Sequence, residues 1–169
     1  MSLNGIGSRR VSILYEGINH LVIFSIDEHR YALPLSAVQR IVHSVEITPL
    51  PESPDIVPGV INVQGRIIPV VDVRKRFHLP ERDMDLSDQL IIAHISGRSI
   101  ALLVDTVGEI LQYMEQEMVR TEEILPGMDY IKGVVKSENS IISVLDPDTV
   151  LSINEVKSLD ETIKENPEG

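Results

Sequence analysis

The sequence predicts an all-β fold made of two similar halves that share one core. Short runs of Val, Ile and Leu recur along the chain and are bounded by Gly, Pro, Asn and Asp, which is the pattern of strands joined by turns. The same order of runs also occurs twice, so the first half matches the second after a shift of 69 or 74 positions. Repetition of this length predicts two supersecondary units packed against each other.

The repeat consists of two sets of matched positions. A shift of 69 places Leu21, Ile26, Ala32, Leu33, Val38 and Ile41 on Leu90, Ile95, Ala101, Leu102, Val107 and Ile110. A shift of 74 places Asp55, Gly59, Val60, Ile67, Ile68, Val70 and Asp72 on Asp129, Gly133, Val134, Ile141, Ile142, Val144 and Asp146. Chance can align branched apolar residues, so the matched Asp and Gly positions carry most of the weight. We interpret the halves as residues 20–76 and 89–151, each marginal as a separate folding unit.

Composition limits the class of protein. The 169 residues carry a net charge of −11. The negative charge is concentrated after residue 104, where the chain has 15 acidic and 5 basic residues. Such a surface repels phosphate backbones, so we expect no nucleic-acid partner. The chain has no cysteine, no signal-peptide pattern and no apolar run long enough for a bilayer, so we expect a cytoplasmic protein without membrane insertion.

The first half begins with a predicted hairpin of residues 21–26 and 31–35 around a turn at 27–30. Ser36 then caps a predicted helical turn, because Val38, Ile41 and Val42 recur at helical spacing. Four prolines between residues 48 and 58 exclude a helix there and predict an extended connector.

The clearest hairpin joins residues 60–63 to 66–71 through Gln64 and Gly65, where glycine supplies the positive φ of a tight turn. Its second strand is apolar on both faces, which predicts burial on both sides. The second half repeats this order, with strands at 90–95, 100–104, 130–135 and 141–145 and a helical turn at 106–111.

Three segments lie outside the halves. Residues 1–17 are polar and weakly periodic, which predicts a flexible N-terminal segment. Residues 80–88 are acidic and form a predicted linker between the halves. The tail at 153–169 places Val156, Leu159 and Ile163 at helical spacing, which predicts a short C-terminal helix.

Catalytic and ligand-binding patterns are sparse. The five histidines show no metal-ligand spacing, and we find neither a phosphate-binding loop nor a nucleophile elbow. The sequence therefore predicts no metal and no cofactor, and no catalytic residue.

One enzymatic alternative comes from the duplication. Asp72 and Asp146 end equivalent strands, and a two-fold β protein with one carboxylate per half is how an aspartic hydrolase builds its dyad. However, neither aspartate is followed by the Ser or Thr and Gly of such a site. The segment that begins at Asp105 comes near that pattern but is one residue too long. The competing interpretation is that all three aspartates leave strands and cap the next turn.

The basic run Arg74, Lys75 and Arg76, with Arg66 and Arg82 near it, has two interpretations. We favour a solvated strand end followed by a loop over an anion-binding or partner-binding site.

Apolar positions of the two equivalent turns also have two interpretations. Val38, Val107 and Ile110, beside Gly59, line a groove between the halves that suits an amphipathic partner helix. Alternatively, they are ordinary core residues, which periodicity alone favours.

The ordered motifs resemble the CheW family of chemotaxis adaptor proteins over residues 21–151. The strongest segment is 51–74, and segments 24–26, 31–35, 103–107 and 130–134 follow the family pattern in order. The resemblance implies two intertwined, five-stranded β-barrels with a hydrophobic seam between them, in a domain of about residues 18–152. It also implies a protein that is not an enzyme.

The resemblance further implies that the protein couples transmembrane chemoreceptors to a CheA-type histidine kinase in a two-component system. The kinase's regulatory domain would dock barrel to barrel, and the receptor's cytoplasmic helical hairpin would lie against the groove between the barrels. The expected receptor contacts, carried over by position, are Val38, Arg40, Gly59, Gln64, Ala101, Val107 and Ile110.

Two of these positions depart from the family pattern. Arg40 stands where many members have Glu, and Gln64 stands where they have Arg before the hairpin glycine. A charge reversal of this kind changes the partner surface. Two alternatives for the whole chain stay open: a CheW-like domain of a larger signalling protein, such as CheA or a CheW-receiver fusion, and the aspartic hydrolase.

Overall fold

The computed structural model describes residues 17–43, 45–120 and 129–165, which form eleven strands and two helices. The strands are β1 (Ile18–Ile26), β2 (His29–Pro34), β3 (Val38–His43), β4 (Gly59–Val63), β5 (Arg66–Asp72), β6 (Gln89–Ile95), β7 (Arg98–Val104), β8 (Thr106–Met114), β9 (Met118–Arg120), β10 (Ile131–Ser137) and β11 (Ser140–Leu145). The helices are α1 (Val73–Arg76) and α2 (Ile153–Glu165), and 3-10 turns occupy Leu35–Ala37 and Glu115–Glu117.

The strands form two sheets that repeat the same topology. The first sheet has the order β8-β1-β2-β11-β10-β9, and the second has the order β3-β6-β7-β5-β4. The first five strands of one sheet correspond one by one to the five strands of the other under the shifts seen in the sequence. In each sheet one pair is parallel, β2 with β11 and β5 with β7, and the other pairs are antiparallel.

This topology confirms the predicted all-β, duplicated and intertwined fold, with one difference in strand number. The first sheet gains β9 as a sixth strand, whereas the second sheet has only an isolated bridge from Thr48 to Val60 at the equivalent place. The sequence halves are not the sheets. Each sheet takes strands from both halves, because β8 pairs with β1 and β3 pairs with β6.

The predicted helical turns at residues 36–42 and 106–111 are wrong in type. Only Leu35–Ala37 makes a turn of 3-10 helix, and the residues that follow form β3. The equivalent segment of the second half is β8. Branched residues in these segments favour strand, and pairing with a neighbouring strand outweighed the apparent periodicity.

A β-bulge explains why the apolar residues of these strands have a helix-like spacing in the sequence. The pairing shifts by one residue between Val38 and Arg40 on β3, and it shifts again where β8 passes Val22 and Phe24 of β1. One extra residue turns the alternation of a strand into a three-residue spacing of apolar side chains. The bulge occurs at equivalent places in both halves, so it is a further sign of the duplication.

Apolar side chains form three clusters. The central cluster lies where the two sheets meet and includes Phe24, Ile26, Tyr31 and Leu33 from the first sheet with Ile91, Ala93, Ile95, Ile100, Leu102 and Val104 from the second. An inner cluster of the first sheet contains Leu21, Ile23, Ala32, Tyr113, Met118, Val135, Ile142 and Val144. The inner cluster of the second sheet contains Ile61, Ile68, Val70, Leu90, Ile92 and Ala101.

The four strands β1, β2, β6 and β7 therefore have apolar side chains on both faces. On β1, Leu21 and Ile23 belong to the inner cluster while Phe24 and Ile26 belong to the central one. The predicted double burial of the second strand in the 60–71 hairpin is also present, since Ile68 and Val70 join the inner cluster and Val71 the central one. The predicted shared core is thus the central cluster.

The predicted C-terminal helix is present as α2. A capping box begins it, in which Ser152 Oγ accepts from Glu155 N at 3.1 Å and Glu155 Oε1 accepts from Ser152 N at 2.7 Å. Leu159 of α2 is fully buried in the central cluster, and Glu155 pairs with Arg76 at 3.1 Å. The predicted flexible segment 1–17 lies outside the described residues, apart from Gly17.

An ionic cluster ties the halves to their linker. Arg74 donates two hydrogen bonds to Asp27, of 2.9 and 2.7 Å, and one of 2.7 Å to Asp105. Arg82 of the linker donates to Asp105 at 2.7 Å and to Asp88 at 3.1 and 2.6 Å. Asp105 therefore accepts from both arginines.

The solvated interpretation of the basic run is wrong for Arg74, which is only 6% exposed. Its hydrogen bonds raise its own pKa, chiefly through Asp27, and lower the pKa of Asp27 in return. For Asp105, burial acts to raise the pKa, but the hydrogen bond from Asp27 N and the charge of Arg74 outweigh it and lower the pKa. These carboxylates are therefore ionised at neutral pH.

Leu102→Ala should lower the free energy of unfolding by about 2–4 kcal/mol, because it opens a cavity in the central cluster. Urea unfolding followed by circular dichroism measures the change. Leu86→Ala is the matched control, since Leu86 is 85% exposed and should change stability by less than about 0.5 kcal/mol. Equal effects of the two variants would contradict a core shared by both sheets.

Arg74→Met should lower the Tm by about 5 °C at pH 7, because it leaves carboxylates without their partner. The folded-state pKa values of Asp27 and Asp105 lie below that of an unfolded aspartate, about 3.9. The stability they contribute is therefore complete above that value and is lost as the pH falls further. The Tm difference from wild type should shrink in thermal scans from pH 5 to pH 2.5.

The control for this experiment is Arg120→Met. Arg120 and its partner Glu115 are both about half exposed, so their ion pair contributes little. A Tm difference for Arg74→Met that stays constant down to pH 2.5 would exclude an electrostatic origin.

Candidate functional site

Arg40 and Gln64 line one concavity of about 200 Å³ on the second sheet. Arg40 lies on β3, and Gln64 begins the two-residue turn between β4 and β5. Gln64 and Gly65 both have positive φ, at 52° and 84°, which confirms the tight turn predicted from glycine. The structure thus brings together the two positions at which the sequence departs from the family pattern.

The concavity also shows that the second sheet is strongly curved. Its lining comes from both edge strands, β3 and β4, and from β5 and β6 between them: Gln39, Arg40, Val63, Gln64, Arg66, Ile68 and Ile92. Edge strands that are separated by three others can share a recess only if the sheet bends toward closure, as in a barrel.

Hydrogen bonds hold part of the rim of the concavity in place. Arg66 Nη2 donates to Ser99 Oγ at 3.0 Å, and Ser99 Oγ donates to Gln39 Oε1 at 3.0 Å. Within the described residues, Arg40 has neither a hydrogen bond nor an ion pair through its side chain. A cation therefore faces solvent on an acidic protein.

Two predicted contact residues are buried, one beneath the concavity and one at the start of β4. Ala101 is fully buried in the inner cluster of the second sheet, together with Ile68 and Ile92 from the floor of the concavity. Gly59 begins β4, and a Cβ there would lie 2.1 Å from Thr48 O. Glycine therefore allows the connector to exchange two 2.8 Å hydrogen bonds between Thr48 and Val60.

The remaining three predicted residues lie where the sheets meet and on the first sheet. Val38 and Val107 are partly buried against the central cluster from opposite sheets. Ile110, three residues further along β8, is 56% exposed. Gln89 connects this region to the second sheet, because its Oε1 accepts from Val107 N at 2.7 Å while its Nε2 lies 3.3 Å from His43 Nε2.

The seven predicted residues are therefore not one continuous surface. Arg40 and Gln64 share the concavity, and Ala101 is buried beneath its floor. Gly59 lies at the start of β4 against Thr48, and the other three belong to the junction of the sheets and to β8. Sequence reasoning missed Gln39, and it considered Arg66 only as a neighbour of the basic run, for which a partner-binding site was the less favoured interpretation. Arg66 directly follows the predicted turn, so its register opposite Val63 was the signal for its position.

The aspartates of the hydrolase alternative have local structural roles. Asp72 Oδ1 accepts from Arg74 N at 3.0 Å, and Asp146 Oδ1 accepts from Asp148 N at 2.9 Å. The turn-capping interpretation is confirmed for these two. It is wrong for Asp105, whose carboxylate accepts from Asp27 N and from two arginines.

The described residues offer neither a metal site nor a membrane-spanning helix. Among them, no three His, Asp or Glu side chains gather closely enough to hold a metal ion. None of the described helices has the length and apolar character needed to cross a bilayer. The described surface instead offers a small cationic concavity on a two-sheet β scaffold.

Comparison with known proteins assigns this scaffold to a family. The profile of the CheW-like domain matches residues 20–155. The chain is 27% identical over 145 residues to the chemotaxis protein CheW of Treponema pallidum, covering 82% of this chain and 85% of that protein. It is 31% identical over 134 residues to CheW of Thermotoga maritima, covering 79% and 88%.

A solved structure has the same fold. The scaffolding protein TtCheW from Thermoanaerobacter tengcongensis matches with a TM-score of 0.75 and 30% identity, over 81% of this chain and 94% of that one. The family match and the structural likeness thus define the class, a two-sheet β protein of a non-catalytic scaffold family. The chain belongs to the CheW-like domain family.

Gly59→Ala should lower the free energy of unfolding by about 1–3 kcal/mol, because the new Cβ collides with the Thr48 carbonyl. Gly108→Ala is the control, since its Cβ would meet Ile23 O at an ordinary 3.5 Å. Chemical denaturation of both variants measures the difference. If Gly59→Ala were as stable as Gly108→Ala, close approach of the connector would not be the reason for glycine at position 59.

Proposed function

We propose that this protein is a cytoplasmic chemotaxis adaptor that couples transmembrane chemoreceptors to a CheA-type histidine kinase and is recruited to receptor arrays. The observation that carries the proposal is the match to scaffolding proteins over nearly their whole length, 94% in the solved structure. An adaptor needs two recognition surfaces on a rigid body and no reactive group. The central cluster supplies the rigidity, because both sheets are built around it.

On this proposal, the receptor's helical hairpin contacts the region between the junction of the sheets and the concavity. Arg40, Gln64 and Ile110 contribute exposed side chains, and Val38 and Val107 flank the apolar junction. Gly59 and Ala101 act indirectly, since both are buried: Ala101 packs beneath the floor of the concavity, and Gly59 allows the close approach of Thr48.

The finer proposal for the kinase is that its regulatory domain docks barrel to barrel on this protein. Support comes from the duplicated architecture, which offers two equivalent sheets and therefore two similar barrel ends. The alternatives receive no such support. The relatives described above are chemotaxis proteins, and the aspartates required for a hydrolase cap turns instead.

The double substitution Arg40→Glu with Gln64→Arg restores the residue types that many family members have at these positions. It should change which receptor hairpin the protein prefers, because it reverses the sign of the charge on β3. Isothermal titration against the hairpin from the same genome and against one from a standard chemotaxis system measures both affinities. We expect their ratio to change by about tenfold or more.

Lys136→Gln is the control for net charge. Lys136 is exposed on β10 of the other sheet, and its neutralisation changes the net charge by −1, as the double substitution does. An unchanged ratio in the double variant would remove Arg40 and Gln64 from receptor recognition. Failure of wild-type protein to bind any hairpin or kinase would contradict the adaptor function itself.

A further inference from the structure

The arginines of this protein divide into two groups. Six of the eight described arginines pair with a carboxylate: Arg30, Arg74, Arg76, Arg82, Arg98 and Arg120. Among the described residues, Arg40 and Arg66 pair with none, and both line the concavity of the second sheet. In a chain of net charge −11, two uncompensated guanidinium groups at one recess are a distinct local feature.

The rest of the lining suits a single carboxylate side chain. Gln39 and Gln64 supply neutral amides, while Val63, Ile68 and Ile92 supply an apolar wall and floor. A side chain with an apolar stem and an anionic end would place its stem on the floor and its oxygens near the arginines. The volume of about 200 Å³ is that of a recess for one side chain rather than for a helix.

Arg66 is already positioned for such a contact. Its Nη2 is held by Ser99, and that bond leaves the other guanidinium donors available within the described residues. Arginine recognises carboxylates through paired donors.

We propose that this concavity is a carboxylate-binding recess that accepts one Glu or Asp side chain of the receptor hairpin, with Arg40 and Arg66 as the hydrogen-bond donors. The inference rests on the proposed function and adds to it a residue, Arg66, and a chemical requirement for the partner. The acidic remainder of the protein repels a negatively charged partner, so attraction at this one place fixes the register of docking.

The rival occupant is a second copy of the chain. The linker carries Glu81, Asp83 and Asp85, which are exposed. It precedes β6, whereas Ser99, which holds Arg66, follows the turn at the other end of that strand. The last linker residue, Asp88, precedes Ile92 of the recess floor by four residues, about 13 Å along β6. Arg82 ties this linker to Asp88 and Asp105 of its own chain, so the rival occupant is the linker of a second copy.

The test uses the full-length protein and the receptor hairpin encoded in the same genome. Arg40→Gln and Arg66→Gln should each weaken binding about tenfold, and the salt dependence of Kd should decrease in both. Lys136→Gln, which removes one exposed positive charge elsewhere, should bind like wild type. Thermal unfolding of each variant verifies that it is folded.

A charge exchange then identifies the partner group. Each Glu and Asp at the hairpin tip is changed to Lys in turn. If Arg40→Glu restores binding to one of these Lys variants, the position of that Lys identifies the carboxylate that enters the recess. Wild-type affinity in both arginine variants would overturn the inference while leaving the adaptor function intact. Absence of hairpin binding by the wild type would overturn both.

Sedimentation velocity distinguishes receptor binding from the rival, in which a second copy of the chain occupies the recess. Concentration-dependent self-association that is abolished by Arg40→Gln and by neutralising Asp83 and Asp85 would assign the recess to a second copy and overturn the proposal. A monomer at all concentrations, together with the arginine-dependent binding above, would support it.

Discussion

Four strands, β1, β2, β6 and β7, are buried on both faces, and they hold the two sheets together. These strands place one set of side chains in an inner cluster and the other in the central cluster, so neither sheet can exist without the other. Exchange of β3 and β8 between the sheets reinforces this dependence, because each half of the sequence completes the sheet of its duplicate. The ionic cluster around Arg74 and Asp105 then fixes the linker against both halves.

A scaffold built in this way keeps its recognition surfaces rigid. The concavity has a floor made of Ile68 and Ile92, which are also members of an inner cluster, so its shape follows from core packing. The junction of the sheets is fixed in the same way, since Val38 and Val107 contact the central cluster directly. The proposed recognition residues Arg40 and Ile110 are exposed side chains that can change without disturbing the fold.

Sequence reasoning predicted the duplication, the hairpins and the shared core, because matched Asp and Gly positions and alternating apolar runs are local signals. It failed at β3 and β8, where a bulge gave apolar residues the spacing of a helix. It also missed the burial of Arg74, whose partners Asp27 and Asp105 are far away in the sequence. The site was predicted by resemblance, and its division into exposed, supporting and junction residues required the strand order, which the sequence alone does not provide.

The proposed role of this non-catalytic scaffold is to transmit a receptor's state to a kinase. The most direct test is the autophosphorylation rate of the CheA-type kinase from the same genome, measured with receptor-containing membranes in the presence and absence of the protein. If the protein is the coupling element, the kinase rate responds to receptor ligand only when the protein is present, and the protein alone transforms no substrate. A kinase that responds equally without the protein would exclude the coupling role.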